Sequence, residues 1–480
     1  MPRRTKIVAT LGPATDDPQI LRNMVQAGLD VARLNLSHDR HDRHRERIDR
    51  IRAVAEELGR DVGVLVDLQG PKIRIGRFRD GPVELIPGAP FAIDHALALD
   101  AGDIAQVGTT YPDLAADLRP GDTLILDDGA IELRVEQVRD TRIDCKVVVG
   151  GPLSNNKGIN KKGGGLSAPA LTEKDKEDIR FAAEIDADYL AVSFVRNGDD
   201  VRLARELFYE AGGRGGIVAK VERAEALRGI DDIIHAADAI MVARGDLGVE
   251  IGDAELPAVQ KHLISRARAL NAVVITATQM MQSMIQNPIP TRAEVFDVAN
   301  AVLDGTDAVM LSAESSVGRY PVKVVEALDR ICQEAEKNVT RSGHRIDSVF
   351  GRVDEAIAMA AMYTGNHLRV KAIAALTESG STVKWMSRIS SGIPIHAMTR
   401  FVATRRKVTL FRGVYPVSFD VASTDIHEIN REVIEELKRR GTVRDGDLVI
   451  VTKGDRKGVE GQTNIMKIMR VGEHGQPYDD

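Results

Sequence analysis

Two short stretches each end an apolar run on charge. "VAKVER" carries Lys220 and Glu222, and "MVARGD" carries Asp246. Side chains alternate along a strand, so Lys220 and Glu222 share one face. Neighbouring strands lie about 4.8 Å apart, which lets Glu222 meet Asp246 if the two runs pair. Two carboxylates with coordination positions left open suit Mg²⁺ or Mn²⁺, which binds through one or two carboxylates plus substrate oxygens. Gly245 permits close backbone approach, and amide groups there can take an anion. Each string is weak alone. A Lys-x-Glu is usually a solvated pair, and Arg-Gly-Asp is often only a turn.

The signal is convergence. In "VARLNLSH" the alternation puts Arg33, Asn35 and Ser37 on one face, with His38 beside them at the strand end. In "AVVITATQ" it pairs Thr276 with Thr278, the latter nearer the end of the run. "VLVDLQGPKIRIG" sets Asp67 and Lys72 about a Gly70-Pro71 turn. "LTESGSTVKWMSR" gathers Thr377, Ser379, Ser381 and Thr382 around Gly380 where a helix opens, which is either an anion site or an ordinary capped start. The His residues give no metal-ligand spacing, and no G-x-x-x-x-G-K-[ST] loop is present.

Such residues need strands that deliver their ends to one place. Apolar runs begin at Thr5, Val31, Val62, Tyr189, Gly216, Ala239, Ala272 and Ala308. Each reads as a strand covered on both faces. Helical patterns such as "DPQILRNMVQAG" and "ELPAVQKHLISRARALN" lie between them, so the strands pair in parallel through right-handed crossovers. Eight such units close into a (β/α)8 TIM barrel. Polar residues at nearly every run's end favour that over a doubly wound sheet, which collects them at one switch point.

Between the third and fourth runs, "GDTLILDDGAIELRVEQV" and "TRIDCKVVVGGPLSNNKG" read as antiparallel strands. A small inserted β-barrel lid domain is expected there, at the C-terminal rim. "VKAIAALTESG", "IPIHAMT" and "DLVIVTKG" then point to a smaller C-terminal α/β domain. The expected division is barrel 1–70, lid 71–168, barrel 169–341 and C-terminal α/β domain 342–480.

At 480 residues, 43% hydrophobic and 28% charged, the chain has the composition of a folded multidomain protein. A net charge of -6 gives no basic footprint for nucleic acid. Two distant cysteines, Cys145 and Cys332, suit a reducing compartment. No apolar run approaches the roughly 18 residues of a membrane span, and no signal peptide is legible. A cytoplasmic location is expected. The "NVT" triplet at Asn338 carries no weight in that setting.

"TKIVATLGPAT", "ARLNLSH", "DLQGPKIR", "LSNNKGIN", "VAKVERAEAL", "MVARGDLGVEIG", "TATQMMQSMI", "PTRAEVFDVANAVLDGTDAVMLSAES" and "EAIAMAAMYTGNHL" resemble the pyruvate kinase family, in its order and over most of the chain. Among bacterial forms the chain is most similar to the shorter type regulated by AMP and sugar monophosphates. The resemblance implies phosphoryl transfer from phosphoenolpyruvate to ADP, giving pyruvate and ATP, in a homotetramer. It implies that Glu222 and Asp246 hold Mg²⁺ (or Mn²⁺), that Lys220 and Arg33 face the phosphoryl group, and that Gly245, Asp246 and Thr278 take the substrate carboxylate. Thr278, Ser312 and Glu314 would share the protonation route. Asn35, His38, Arg74 and Lys157 would face the nucleotide, and Thr377, Ser379, Gly380, Ser381 and Thr382 would form the effector loop.

In many members, positions equivalent to Asn35, Ser37, Asp67 and the Leu68 carbonyl hold potassium, with "DTKGPE" at the turn. Here "DLQGPK" places Lys72 where those enzymes have Glu. The expectation is that its ammonium replaces the potassium charge, so that K⁺ is not required. Two other readings are a metal-dependent barrel lyase acting on pyruvate or oxaloacetate, and a regulatory binding protein without turnover. The lid lysine argues against the first, and the full set of catalytic groups against the second.

Overall fold

The computed structural model describes residues 2–338, 350–421, 425–455 and 461–472. Eight strands are the frame: β1 (Lys6–Thr10), β2 (Val31–Asn35), β3 (Gly63–Asp67), β4 (Tyr189–Val192), β5 (Gly216–Val221), β6 (Ala239–Ala243), β7 (Val273–Ala277) and β8 (Ala308–Leu311). They close into one parallel barrel, each strand beside its sequence neighbours and β8 beside β1.

Sequence fixes the helix ends locally. Helix Pro18–Ala27 starts on the Asp17 cap with Pro at its first turn and stops at Gly28, whose φ of 115° only glycine adopts easily. Thr291 and Glu294 form a capping box at the start of helix Arg292–Asp304.

Strand alternation sorts the barrel into two apolar layers. Residues such as Ile7, Leu34, Val66, Leu190 and Val242 face outward and pack under the helices. The inward set, including Val8, Val31, Leu65, Ala191 and Val218, fills the lower half of the barrel and runs on into Ala358, Ile373 and Phe411 of the C-terminal domain. Two residues further along the same inward faces come Arg33, Asp67, Ser193 and Lys220. One face of each strand is thus packing at its base and chemistry at its top.

The insert forms a six-stranded sheet, in the order Ile159–Lys161, Thr123–Leu126, Ile131–Arg139, Arg142–Val149, Pro90–Asp94 and Gln106–Val107, with a separate pair, Gly151–Leu153 and Val83–Leu85. Residues 74–78 link its two edges: Arg74 bridges Gly158 next to one, while Ile75 bridges Thr109 and Phe78 bridges Gly102 next to the other. The expected barrel-like lid is therefore a mixed sheet whose closure is made by single bridges.

The third unit is a sheet of β9 (Ala372–Leu376), β10 (Ile395–Thr399), β11 (Val414–Ser418), β12 (Leu448–Gly454) and β13 (Thr463–Arg470), ordered β11-β10-β9-β12-β13. The last strand is antiparallel. Strands β11 and β13 escaped the sequence reading, since "VYPVS" holds a proline and "TNIMKIMR" breaks its apolar run with lysine. Polar contacts seat this unit on the barrel base: Lys6 Nζ donates to Val414 O (2.6 Å), Tyr189 Oη to Lys407 O (2.6 Å), and Arg406 pairs with Asp188 (2.9 Å). The expected boundary at 341/342 and the tail from 473 lie outside the described residues.

Candidate active site

Strand ends β2, β3, β4 and β5 deliver a continuous ion network to the barrel mouth. Arg33 Nε donates to Asp67 Oδ2 at 2.7 Å, and its Nη1 reaches Thr10 Oγ1 at 2.8 Å. Lys220 Nζ lies 3.1 Å from Asp67 Oδ1 and 2.9 Å from Glu222 Oε1, and donates to Ser193 Oγ at 2.6 Å. Ser193 Oγ in turn donates to Leu68 O (2.8 Å), and Phe194 N–H donates to Glu222 Oε2 (2.7 Å). All four charged groups are buried.

Burial and pairing set their protonation. Burial would push the Asp67 carboxyl up, but Lys220 and Arg33 together hold it below the usual range. Burial opposes the charge on Lys220, and Asp67 and Glu222 overcome it, raising the ammonium above its ordinary value. Glu222 moves up, driven by burial and by the nearby carboxylates of Asp246 and Asp67 against the pull of Lys220. A carboxylate made unfavourable by a like-charged neighbour is a site that gains from a cation.

Asp246 stands in the first turn of helix Arg244–Ile251, where amide groups have no intrahelical acceptor. Lys72 Nζ from the foot of the insert lies 3.2 Å from Asp246 Oδ1. Glu222 and Asp246 therefore each face an ammonium, Lys220 and Lys72 respectively. Among the described residues no group of three or more His, Cys, Asp or Glu could hold a metal unaided. Two carboxylates completed by substrate oxygens fit Mg²⁺ or Mn²⁺.

The Gly245 N–H donates to Thr278 Oγ1 (2.8 Å), which donates on to Ala277 O (2.7 Å). Thr278 has φ 65° and Gln279 φ 55°, a left-handed pair that is strained for a β-branched residue. Arg244 holds this turn. Its Nη2 reaches Thr278 O at 2.7 Å and its Nη1 reaches Asp297 Oδ1 at 2.6 Å. Beyond it, Glu314 accepts from Ser312 N (2.7 Å) and Met281 N (3.2 Å), fixing the loop after β8 against the loop after β7.

The other expected residues divide by place. Arg74 Nη1 donates to Asn156 O at 3.0 Å and Lys157 pairs with Asp127 at 2.7 Å, both within the insert. Asn35 and His38 stand on the barrel rim, where Asn35 Oδ1 accepts from Ser37 N (3.2 Å) and His38 O binds His44 Nε2 (2.8 Å). Of the potassium-type set, Asn35 lies in register beside Asp67, which Arg33 and Lys220 also bind; the Leu68 carbonyl accepts from Ser193, Ser37 is exposed, and Lys72 reaches Asp246. The turn at Gly70-Pro71 aims Lys72 across the mouth, away from the acid that precedes it in sequence.

Sequence reasoning missed Ser193 and Arg244. The "SF" end of the fourth run held the signal for Ser193, since it lies two residues past Ala191 on the inward face. Arg244 was hidden inside a string read as a turn.

The insert is docked over this site. Gly163 N–H donates to Glu250 O (2.9 Å), Gly165 N–H to Glu225 Oε1 (2.6 Å), and Arg223 Nη1 to Leu166 O (3.0 Å). In the C-terminal domain, Thr377, Ser379, Ser381 and Thr382 line a cavity of about 240 Å³ with Arg400, Lys453 and Gln462. Gly380 supplies the turn, at φ 84°. Among the described residues no helix is long and apolar enough to cross a membrane.

A closed parallel barrel with charged strand ends at one mouth, a docked insert and an appended α/β unit defines a class: TIM-barrel enzymes whose sites sit at the C-terminal ends of the strands. Family models narrow it. Residues 2–325 match the pyruvate kinase barrel domain and residues 355–469 the pyruvate kinase alpha/beta domain. The chain is 55% identical to pyruvate kinase II of Salmonella typhimurium over 475 residues, covering 98% of this chain and 99% of that one. It is 51% identical to a pyruvate kinase of Haemophilus influenzae and 43% identical to one of Mycobacterium tuberculosis, each with 98% and 99% coverage. The chain belongs to the pyruvate kinase family, and its enzyme class is phosphotransferase.

Proposed function

We propose that the mouth residues divide the reaction between phosphoryl transfer and enolate protonation. The observation that carries this reading is the Lys220 ammonium shared between Asp67 and Glu222 at the inward ends of two strands, β3 and β5. Arg33 and Lys220 bind the phosphoryl group of phosphoenolpyruvate. The bond between phosphorus and the enol oxygen breaks, a terminal oxygen of ADP forms the new bond to phosphorus, and the electron pair stays on the enolate oxygen. Positioning and neutralisation of charge are the main needs of such a transfer. Glu222 and Asp246 hold Mg²⁺ or Mn²⁺, which when bound supplies Lewis-acid charge. The Gly245 and Asp246 amides and the Thr278 hydroxyl hold the substrate carboxylate, and the strained Thr278 turn keeps that hydroxyl in place. A proton then reaches the methylene carbon by way of Thr278, Ser312 and Glu314, and pyruvate leaves.

Asn35 and His38 on the rim, with Arg74 and Lys157 on the lid, hold ADP and ATP. We place the domain divisions at 70/71, 168/169 and 341/342. Lys72 supplies the fixed positive charge that potassium gives other members, acting from Asp246, so K⁺ is not required. The Thr377–Thr382 loop takes the phosphate of AMP or a sugar phosphate in the cavity beside it. A cytoplasmic homotetramer is the form we assign.

A lactate dehydrogenase-coupled assay with ADP, with and without K⁺ and across AMP and sugar phosphates, tests these points together. ADP-dependent pyruvate production that disappears in Lys220→Met is expected. Pyruvate formation without ADP would favour a lyase. Large potassium activation would refute the Lys72 role, and effector responses unchanged in Ser379→Ala/Ser381→Ala would refute the loop.

A further inference from the structure

Away from the mouth, four arginines meet where the barrel base joins the C-terminal domain. Arg4 and Arg268 come from the barrel, Arg388 and Arg412 from the C-terminal unit, and they line one small cavity with Asp307, Ser390 and Ser391. Arg388 is fully paired, with Nη1 2.8 Å from Asp307 Oδ2 and Nη2 on Oδ1. Arg4 pairs with Glu336 at 3.4 Å and donates to Ser391 O at 2.6 Å. Arg268 and Arg412 have no carboxylate within ion-pair distance among the described residues. Arg268 Nη2 reaches Ser390 Oγ at 2.8 Å. Arg412 Nη1 faces the carbonyls of Val302 and Thr306, both at 3.3 Å, and its buried Nη2 has no hydrogen-bond partner.

Four guanidiniums thus meet two carboxylates, Asp307 and Glu336, and two positive charges remain. Desolvation disfavours such charges unless a counter-ion accompanies them. Burial lowers Arg412 to about 10 and also lowers Arg268; Asp307, and for Arg412 also Glu336, oppose the fall without overcoming it, while neighbouring arginines add to it. The cavity measures about 20 Å³, room for one particle of water or halide size.

We propose that this cavity is a site for a single inorganic anion of halide size, held by Arg412 Nη2 and Arg268 with Arg4 alongside. The anion ties the C-terminal domain to the barrel base. Arg388 also ends the helix Ser381–Ser387 that begins at the hydroxyl loop, so the bound ion braces the far end of that element.

The test uses the full-length protein. Thermal unfolding is followed at one ionic strength while sodium gluconate is replaced by sodium chloride or bromide, and separately by phosphate. Gluconate and phosphate are too large for the cavity. A saturable rise of Tm with chloride and bromide is expected, absent in Arg268→Gln. Crystals grown in bromide should show an anomalous peak within hydrogen-bonding distance of Arg412 Nη2, a readout that requires no variant. A Tm indifferent to halide, a rise that never saturates and is equal in Arg268→Gln, a shift with phosphate alone, or a bromide map empty at the cavity would each overturn the site and leave a water there.

Discussion

Replacing Lys72 by Glu tests how this mouth balances its charge. As it stands, Arg33, Lys220 and Lys72 face Asp67, Glu222 and Asp246, three cations against three carboxylates. Lys72→Glu removes one cation and brings a fourth carboxylate beside Asp246. At 3.2 Å the gross Coulomb attraction of the present pair is on the order of 5 kcal/mol at an effective dielectric of 20. Lys72 and Asp246 are 27% and 22% exposed, so solvent reduces the net value to about 1 kcal/mol. Reversal of the charge adds repulsion of similar size, for a total of about 2 kcal/mol. If the transition state feels that loss, kcat/KM falls by about 30-fold.

Potassium should restore most of this in Lys72→Glu and do little to the parent enzyme. The assay is steady-state turnover in tetramethylammonium buffer with K⁺ added stepwise. Lys72→Met supplies the complementary measurement. It frees Asp246 from its ammonium, so Mn²⁺ binding followed by electron paramagnetic resonance should tighten even as turnover falls. A Lys72→Glu enzyme that works at full rate without potassium, together with unchanged Mn²⁺ affinity in Lys72→Met, would show Lys72 to be a bystander.

Arg244→Met should destabilise the fold by about 3 kcal/mol, since it leaves Asp297 unpaired and frees the strained Thr278 carbonyl; it should also slow deuterium exchange into the pyruvate methyl group, read by NMR, more than it lowers substrate affinity. Burial raises Glu250 to about 7, so the folded state retains its proton longer than the unfolded chain. That contribution is fully present below about pH 4.5 and disappears as pH rises through 7, on the order of 3 kcal/mol; denaturant titrations should show this decline in the parent and not in Glu250→Gln. His396, buried with neither ring nitrogen bonded, is pushed down by burial to about 4. Stability should therefore fall by about 3 kcal/mol as pH drops from 6.5 to 4, and His396→Phe, packing on Tyr415, should flatten that slope in chemical denaturation.

What was legible in the sequence follows the range of the forces involved. The barrel could be read because each strand states its burial through its own residues, and because the polar ends repeat eight times. Lys220 and Glu222 could be placed on one face from spacing alone. Lys72 could not: the chain direction after Gly70-Pro71 depends on how the insert docks, and this decides that its ammonium meets Asp246. Arg244 was obscured for a related reason. Its partners Thr278 and Asp297 lie on later elements, and only the closed barrel brings them within reach. The C-terminal sheet lost two strands to the reading because their apolar runs are interrupted, while pairing with β10 and β12 supplies the order that their sequences lack.

The neutral arrangement of the mouth bears on how the lid and the chemistry are joined. A buried carboxylate such as Asp67 needs its two cations to stay charged, and those same cations are the ones an incoming phosphoryl group would recruit. On the proposed function, substrate would compete with Asp67 for Arg33 and Lys220, and a divalent ion would compete with Lys72 for Asp246. Lys72 belongs to the foot of the insert, so displacing it perturbs a segment whose other ties to the barrel include the Gly163–Glu250, Gly165–Glu225 and Arg223–Leu166 bonds. Loading the site with metal should then loosen the lid's foot before substrate tightens it again. Hydrogen exchange at residues 72–78 distinguishes this order of events: protection should fall on adding Mn²⁺ alone and rise above the starting level when phosphoenolpyruvate follows. Protection that rises at the first addition would mean that Lys72 and the metal share Asp246, and the competition would have to be abandoned.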